Sequence, residues 1–226
     1  KVLERKWLSS GPRTQQFEEK FANYLGGNVY CCAVSSCTAS LHMALLLAGI
    51  KPDDEVILSG LSFVAALNMV TLVGATPVLA DSKSLEDWNV SMNDIEQKIT
   101  SKTKAVIVVH FAGYPCDMEE LMFLVKKYDL ILIEDVAHAI GAKYKGKKCG
   151  TFGDISCFSF FSNKNLSTGE GGMFVTSDSE LGKKSKLFRS HGMTSMTVDR
   201  HEKKAISYDV VMPGVNYRMN EISAAL

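Results

Sequence analysis

The 226-residue chain carries 25 basic and 25 acidic side chains, so its formal net charge is zero. This balance favours neither a nucleic acid nor an anionic membrane as a partner. With 46% hydrophobic residues the chain can bury a substantial core, although its length permits either one large domain or two small ones.

The cysteines and the ends of the chain predict a cellular location. Six cysteines occur, and their spacing predicts neither a disulfide framework nor a zinc or other metal site. No apolar run approaches the roughly 20 residues of a membrane span, and no basic-then-apolar leader opens the sequence. We therefore expect reduced thiols in a cytoplasmic protein.

The first residue is Lys1, and a helix that opens near Asn220 stops at Leu226, so further chain is expected after this point.

Apolar periodicity predicts alternating strands and helices. The basic cluster 143–148 lies beside a glycine and is interpreted as a solvated turn. The polar segment 195–207 is interpreted as a surface loop, although it could instead contact a substrate. In chain order the predicted elements are a helix over 17–25, a strand over 29–34, a buried helix over 38–50, a strand over 55–58, a helix over 63–73, a strand over 76–80, a helix over 91–99 capped by Ser91, a strand over 105–110, a helix over 118–128 and strands over 130–133, 154–161 and 171–176.

This alternation predicts an α/β fold in which helices cover both faces of a mostly parallel sheet, in three αβα layers. In such sheets ligands bind outside the carboxyl ends of the strands. The residues that follow each strand are therefore the candidates for function.

The first strand is followed by Ser35-Ser36-Cys37-Thr38, which opens the buried helix. Small residues leave backbone N–H groups and hydroxyls accessible at the positive end of the helix dipole, an arrangement suited to a phosphate. The alternative is that Ser36 or Thr38 only caps the helix.

Glu134 and Asp135 end another apolar strand, and His138 follows three residues after Asp135. Side chains alternate along a strand, so one carboxylate can face a ligand while its neighbour points away. The alternative is a salt-bridged carboxylate beside a core histidine. Phe63, at the start of a predicted helix, could stack on a flat ligand or be an ordinary core residue.

Lys164 lies between a strand-like aromatic run and the pair Gly171-Gly172. We expect a buried lysine here, because desolvation would lower its pKa and make the amine a nucleophile towards an aldehyde or ketone. A phosphate cradle, an aromatic plate, a carboxylate and an amine are together the groups that pyridoxal 5′-phosphate (PLP) requires.

Several motifs, in family order, resemble the DegT/DnrJ/EryC1/StrS family of PLP-dependent sugar aminotransferases, which has the aspartate aminotransferase-like fold. The similarity covers almost the whole chain. The motifs are SSCTASLHMALLLAGIKPDDEVI, GATPVLAD, IEDVAHAIGAKYKGKKCGTFGDISCFSF, KNLSTGEGGMFVT and MPGVNYRMNEISAAL.

The resemblance implies roles for individual residues. Lys164 corresponds to the lysine that binds the cofactor covalently, and Asp135 to the partner of its ring nitrogen, whose positive charge should depress the Asp135 pKa. His138 and Phe63 correspond to residues on the two faces of the ring.

The remaining correspondences concern the cofactor phosphate. Cys37, Thr38 and Ser159 match phosphate contacts, although the family usually has Gly or Ala at the position of Cys37. Asn216 matches a residue that reaches the phosphate of a neighbouring subunit, which implies a homodimer with shared active sites.

The resemblance also implies a reaction and a domain organisation. The family transfers an amino group from an amino acid, by analogy glutamate, to a nucleotide-linked keto sugar for cell-surface polysaccharides or secondary metabolites. Residues 1–226 would form the PLP-binding large domain, entered through segment 1–25, without the family's small C-terminal domain. The alternatives are a lyase or dehydratase on the same scaffold, or a regulatory member. Lys164 argues against the dehydratases, which have histidine there.

Overall fold

The computed structural model describes residues 2–4, 6–195 and 207–226. The predicted loop at 195–207 falls almost entirely outside these described residues. The strands are β1 (Tyr30–Val34), β2 (Glu55–Ser59), β3 (Thr76–Ala80), β4 (Thr103–Val109), β5 (Ile131–Asp135), β6 (Lys143–Tyr144), β7 (Lys147–Lys148), β8 (Ile155–Ser159) and β9 (Gly172–Thr176). The helices are α1 (Pro12–Leu25), α2 (Cys37–Leu47), α3 (Ala65–Leu72), α4 (Met92–Lys98), α5 (Met118–Lys127), α6 (Ser179–Phe188) and α7 (Glu221–Ala225).

Seven strands form one sheet in the order β1-β9-β8-β5-β4-β2-β3. The pairs β2–β3, β2–β4, β4–β5 and β5–β8 are parallel, which confirms the predicted mostly parallel sheet. β9 runs antiparallel to both of its neighbours, β1 and β8. The carboxyl ends of β1, β8, β5, β4 and β2 therefore meet at one edge of the sheet.

Helices cover both faces of this sheet, as predicted. Helices α2, α3 and α6 pack on one face around Leu41 and Val70, while α4 and α5 pack on the other around Ile95 and Leu121. Leu45 of α2 is fully buried, as expected for a helix that is apolar almost all round. Burial of one such side chain contributes roughly 1.5–3 kcal/mol.

Most element boundaries agree with the predictions to within a few residues. Ser91 caps α4, since its hydroxyl accepts a hydrogen bond from the Asp94 N–H at 3.3 Å. The helix predicted to start at residue 17 begins instead at Pro12, because proline suits the first turn of a helix. Helix α6 was not predicted.

Helix α1 takes its N-terminal cap from the far end of the chain. The carboxylate of Glu221 accepts hydrogen bonds from the N–H groups of Gly11, Arg13 and Thr14 at 2.8–2.9 Å. Gly11 has no side chain that could do this, so Glu221 satisfies donors that would otherwise be orphaned. This contact anchors the N-terminal segment beside α7.

The predicted solvated turn is a two-stranded hairpin, β6–β7, and its lysines at 143, 145 and 147 are exposed. Within the described part of the chain, every helix is too short or too polar to cross a bilayer.

Candidate active site

A pocket of about 540 Å³ opens at the carboxyl edge of the sheet. The structure brings seven of the eight residues predicted for the site into its wall. They are Cys37, Thr38, Phe63, Asp135, His138, Ser159 and Lys164. The convergence of residues from five separate parts of the chain is the arrangement expected at the carboxyl ends of parallel strands.

Lys164 lies on the loop between the buried strands β8 and β9, as its flanks suggested. Its backbone N–H donates to the Phe161 carbonyl at 2.9 Å, and its side chain is only half-buried. The expectation of a buried lysine is therefore wrong. The chain leaves the sheet after β8 and returns to it as the antiparallel strand β9. Lys164 lies on the connecting loop, and this places it at the rim of the pocket.

The glycine pair after Lys164 lets the sheet and helix α2 approach each other closely. A Cβ on Gly172 would lie 2.4 Å from the Ser36 carbonyl carbon and 2.6 Å from the Cys37 nitrogen. Any side chain at residue 172 would therefore displace the start of α2, where the predicted phosphate contacts lie.

The first turn of α2 has the geometry of an anion site. The Ser36 hydroxyl caps the helix by accepting from the Ala39 N–H at 3.1 Å, while Thr38 lines the pocket. The N–H groups of Cys37 and Thr38 lie in the first turn of the helix and have no intrahelical acceptor, so they are available to a ligand. The motif can therefore serve both as a helix cap and as a phosphate site, because Ser36 caps the helix while Cys37 and Thr38 line the pocket. Ser159 completes this side at the end of β8.

The thiol of Cys37 points towards Asp135 and lies 3.9 Å from its Oδ1. Burial, reinforced by the Asp135 charge, holds the pKa of Cys37 well above its usual value. Cys37 is therefore an uncharged neighbour of the carboxylate, and only its backbone suits the predicted phosphate contact.

Asp135 is 6% exposed and accepts one backbone hydrogen bond, from the Ala137 N–H at 3.0 Å, besides its contact with the Cys37 thiol. Burial raises its pKa, and the hydrogen bond and the positive field of His138 and Lys164 offset this only in part. The expected depression of this pKa does not occur in the chain by itself. A cation placed beside the carboxylate would favour its ionised form.

His138 lies beside Asp135 in the pocket wall. Its Nδ1 is buried and meets no hydrogen-bond partner among the described residues. Burial and the nearby Lys164 charge lower the pKa of the ring, which favours neutral imidazole. Of the two alternatives weighed for His138, the structure supports a residue with an unused polar atom at a ligand pocket.

Glu134, next to Asp135, points away from the pocket and is completely buried. Its carboxylate accepts from the His110 ring at 3.0 Å and from the N–H groups of Gly150, Phe152 and Gly153 at 2.7–2.8 Å. Burial alone would raise its pKa, but these hydrogen bonds lower it. His110 is the neutral tautomer with its proton on Nε2, because the Cys116 N–H donates to Nδ1.

Three phenylalanines, Phe63, Phe111 and Phe161, line the pocket. Phe63 was predicted, and 72% of its surface is exposed, so its ring is available for stacking and is not a core residue. Phe111 was not selected as a candidate, although it follows β4 at the same edge. Its ring makes an edge-to-face contact with His138, with 6.5 Å between centroids. Position after a strand was the signal that could have identified it.

Asn216 is the predicted residue that the structure leaves out of the pocket wall. It is exposed and pairs with Ser190 in an isolated antiparallel bridge. This position is compatible with a role in a neighbouring subunit, which stays a prediction.

The pocket fits PLP. Among the described residues it offers a buried carboxylate without an ion-pair partner, an unpaired buried ring nitrogen on His138, an exposed aromatic face on Phe63, free N–H groups at a helix N-terminus and the Lys164 amine. Each satisfies a different part of a flat, phosphorylated, aldehyde-bearing cation.

Comparison with known proteins agrees with this geometry. The profile of the DegT/DnrJ/EryC1/StrS aminotransferase family matches residues 1–226. The chain belongs to this family. Its members use PLP, and the resemblance found in the sequence motifs is confirmed.

The GDP-perosamine synthase of Escherichia coli O157:H7 is 48% identical over 227 residues, which cover 99% of this chain and 59% of the relative. Helicobacter pylori PseC, an aminotransferase involved in the biosynthesis of pseudoaminic acid, is 38% identical with a TM-score of 0.91, over 99% of this chain and 58% of PseC. The Streptococcus pneumoniae protein Spr1654, solved in its PLP form, is 30% identical with a TM-score of 0.88, over 99% of this chain and 60% of that protein. The chain thus spans about three fifths of the proteins it resembles.

Proposed function

We propose that the protein is a PLP-dependent aminotransferase that moves an amino group from an amino acid to a nucleotide-linked keto sugar. The observation that supports this most directly is the presence of Lys164 and Asp135 in the wall of one pocket, at the dipole-positive end of α2. PLP, when bound, supplies an aldehyde and an electron-accepting ring.

The residues of the chain divide the chemical work. Asp135 would hold a protonated ring nitrogen through its buried carboxylate, and the first turn of α2 with Ser159 would bind the phosphate dianion. Lys164 Nζ would hold the aldehyde covalently, with loss of water, and as a free amine it would accept a substrate proton and return it as the ammonium. Phe63 and His138 would hold the ring from its two faces.

The substrate class rests on similarity. GDP-perosamine synthase is named for a nucleotide-linked amino sugar, which favours a nucleotide-linked keto sugar as the acceptor. Glutamate is the amino donor that the family resemblance suggests. The same resemblance favours a role in cell-surface polysaccharide or secondary-metabolite sugar synthesis.

Further proposals concern the assembly. Residues 1–226 form the PLP-binding large domain, and the protein is a cytoplasmic homodimer in which Asn216 reaches the neighbouring subunit's phosphate site. The exposure of Asn216 outside its own pocket and the buried, unpaired cysteines are compatible with these proposals.

The donor half-reaction tests the proposed activity. Adding glutamate to the PLP-loaded protein should convert the absorbance of lysine-bound PLP into that of the aminated cofactor. Lys164→Ala should abolish the change, whereas the exposed-lysine control Lys126→Ala should retain it. A Lys164→Ala protein that turns over at the wild-type rate would refute the proposal.

A further inference from the structure

The loop between β3 and α4 holds two large apolar side chains in solvent near the pocket. Leu85 is 89% exposed and Trp88 is 55% exposed. The backbone around them is ordered by internal hydrogen bonds, since the Ser84 hydroxyl accepts the N–H groups of both Glu86 and Asp87. Rigid loops that expose aromatic side chains are common recognition elements, because little conformational entropy is lost on binding.

Trp88 is connected to the pocket through Phe111. The two rings meet edge to face with 5.5 Å between centroids, and Phe111 in turn contacts His138. The indole N–H of Trp88 donates to the Leu85 carbonyl at 2.8 Å, so the polar group of the ring is already satisfied. What Trp88 offers to a ligand is its apolar ring surface.

Asn89 fixes this aromatic pair from below. It is 5% exposed, and its amide nitrogen donates to the carbonyls of Tyr114 and Pro115 at 3.1–3.2 Å. Its oxygen accepts the Phe111 N–H at 3.1 Å. One buried side chain thus joins the loop of Trp88 to the loop of Phe111.

The backbone of the loop that carries Phe111 is constrained as well. Ala112 and Gly113 both have positive φ, and a Cβ on Gly113 would lie 2.8 Å from the His138 carbonyl oxygen. Glycine is therefore required at residue 113 for the loop to pack against His138, and the packing sets the position of Phe111 relative to the cofactor pocket.

We propose that Trp88 and Phe111 form the wall against which the sugar ring of the acceptor stacks, outside the cofactor pocket. The proposal rests on the proposed function and specifies a subsite for its sugar substrate. A hexose has an apolar face of C–H groups that an aromatic ring surface can cover, while its hydroxyls remain free for polar contacts. The amino-acid donor is small and charged and gains nothing from such a wall.

Continuity with the pocket favours a substrate over a protein partner as the occupant of this wall. Phe111 and Lys164 both line the pocket. Trp88 contacts the Phe111 ring and so continues the aromatic surface beyond the pocket. A ligand whose reacting carbon lies at Lys164 and that is larger than an amino acid would reach this surface.

Intrinsic fluorescence tests the wall by binding alone. The sequence has two tryptophans, Trp7 and Trp88, so the difference between wild type and Trp88→Phe isolates the signal of Trp88. The probes are keto hexoses linked to GDP, UDP or dTDP, with free GDP and glutamate as comparisons. The nucleotide-sugar that the enzyme turns over should change the Trp88 signal, and neither glutamate nor the free nucleotide should do so.

Kinetics provide the second test. Trp88→Ala should raise KM for the keto sugar by about tenfold, the loss expected for a buried aromatic contact, and Trp88→Phe should recover most of it. The rate of the glutamate half-reaction should not change. Phe123→Ala removes another aromatic residue of similar exposure, on α5, and should leave both steps unaltered.

The outcomes separate the two proposals. If the glutamate half-reaction proceeds but Trp88→Ala leaves the sugar KM unchanged, the wall is refuted and the activity stands. A Trp88→Ala protein that loses both half-reactions or dissociates into monomers would also refute the wall, because Trp88 would then support the fold or an interface. If no sugar of the panel is aminated, the proposed function fails and the subsite with it.

Discussion

Two carboxylates at the end of β5 occupy adjacent positions and opposite environments. Glu134 is fully buried and surrounded by donors, three of them backbone N–H groups. Asp135 is also buried, but it accepts one backbone hydrogen bond and faces a thiol and a pocket. The same chemical group has a lowered pKa at Glu134 and a raised pKa at Asp135.

The difference shows that burial alone does not identify a functional carboxylate. Glu134 is stabilised in its charged form by the protein, so it organises the loops at 110 and 150–153 around the strand end. Asp135 accepts fewer hydrogen bonds, so its charged form would be stabilised by a cationic ligand in the pocket. Side chains point to alternate faces along a strand, so the structural Glu134 faces the core while its neighbour Asp135 faces the pocket.

The largest effect should come from Glu134→Gln. An amide can present only one oxygen to the donors, and its NH₂ group would face N–H groups inside the core. We expect a loss of about 2–5 kcal/mol in the free energy of unfolding, because the donors that lose their acceptor remain buried. Urea denaturation of the PLP-free protein measures it. A change as small as that of the exposed control Asp129→Asn would contradict the structural role.

Asp135→Asn should lower turnover instead of stability. The neutral amide cannot stabilise a positive charge on the ring nitrogen, and loss of one preorganised electrostatic contact costs about 10²–10³-fold in rate. Steady-state assays with glutamate and the acceptor sugar measure this drop, and far-ultraviolet circular dichroism confirms the fold. A variant that keeps its wild-type turnover would remove Asp135 from the mechanism.

A smaller effect is expected in the pH dependence of stability. The folded state of the PLP-free protein raises the pKa of Asp135 above its ordinary 3.8. As pH rises through this window the unfolded chain releases its proton first, so the Asp135 contribution to folding becomes less favourable. Glu134, with its lowered pKa, behaves oppositely and loses its contribution only as the pH falls into the acid range.

The comparison between wild type and Asp135→Asn isolates the contribution of Asp135 to the pH dependence of stability. The unfolding free energy of the wild type relative to Asp135→Asn should decrease as the pH rises from 3.8 towards neutrality, and bound PLP should reduce the decrease. A flat difference across that range would show that Asp135 is not desolvated in the PLP-free protein.

Much of the fold follows from local sequence patterns. Apolar runs such as 105–109 and the buried helix α2 signalled a sheet covered on both faces, and the structure agrees. Helix α6 was missed because four of its ten residues are charged lysine or glutamate and its apolar stripe is thin. The antiparallel direction of β9 was not predicted, because β8 and β9 are joined by a long loop and not by a tight turn.

The candidate site was also largely predictable, because strand ends converge in this class of sheet. What the sequence could not supply was the environment of each group. The half-buried position of Lys164 depends on where its loop leaves the sheet, and the raised pKa of Asp135 depends on a desolvation that only the assembled pocket produces. The backbone donors around Glu134 come from a loop whose path local patterns do not determine.

The central claim is that Lys164 binds PLP covalently beside Asp135. Reduction of the PLP-loaded protein with borohydride, followed by proteolysis and mass spectrometry, tests it most directly. The account predicts that the reduced cofactor is found on the peptide that contains Lys164 and that Asp135→Asn keeps the label on the same residue. A label on another lysine, such as Lys147 of the exposed hairpin, or no label at all would contradict it.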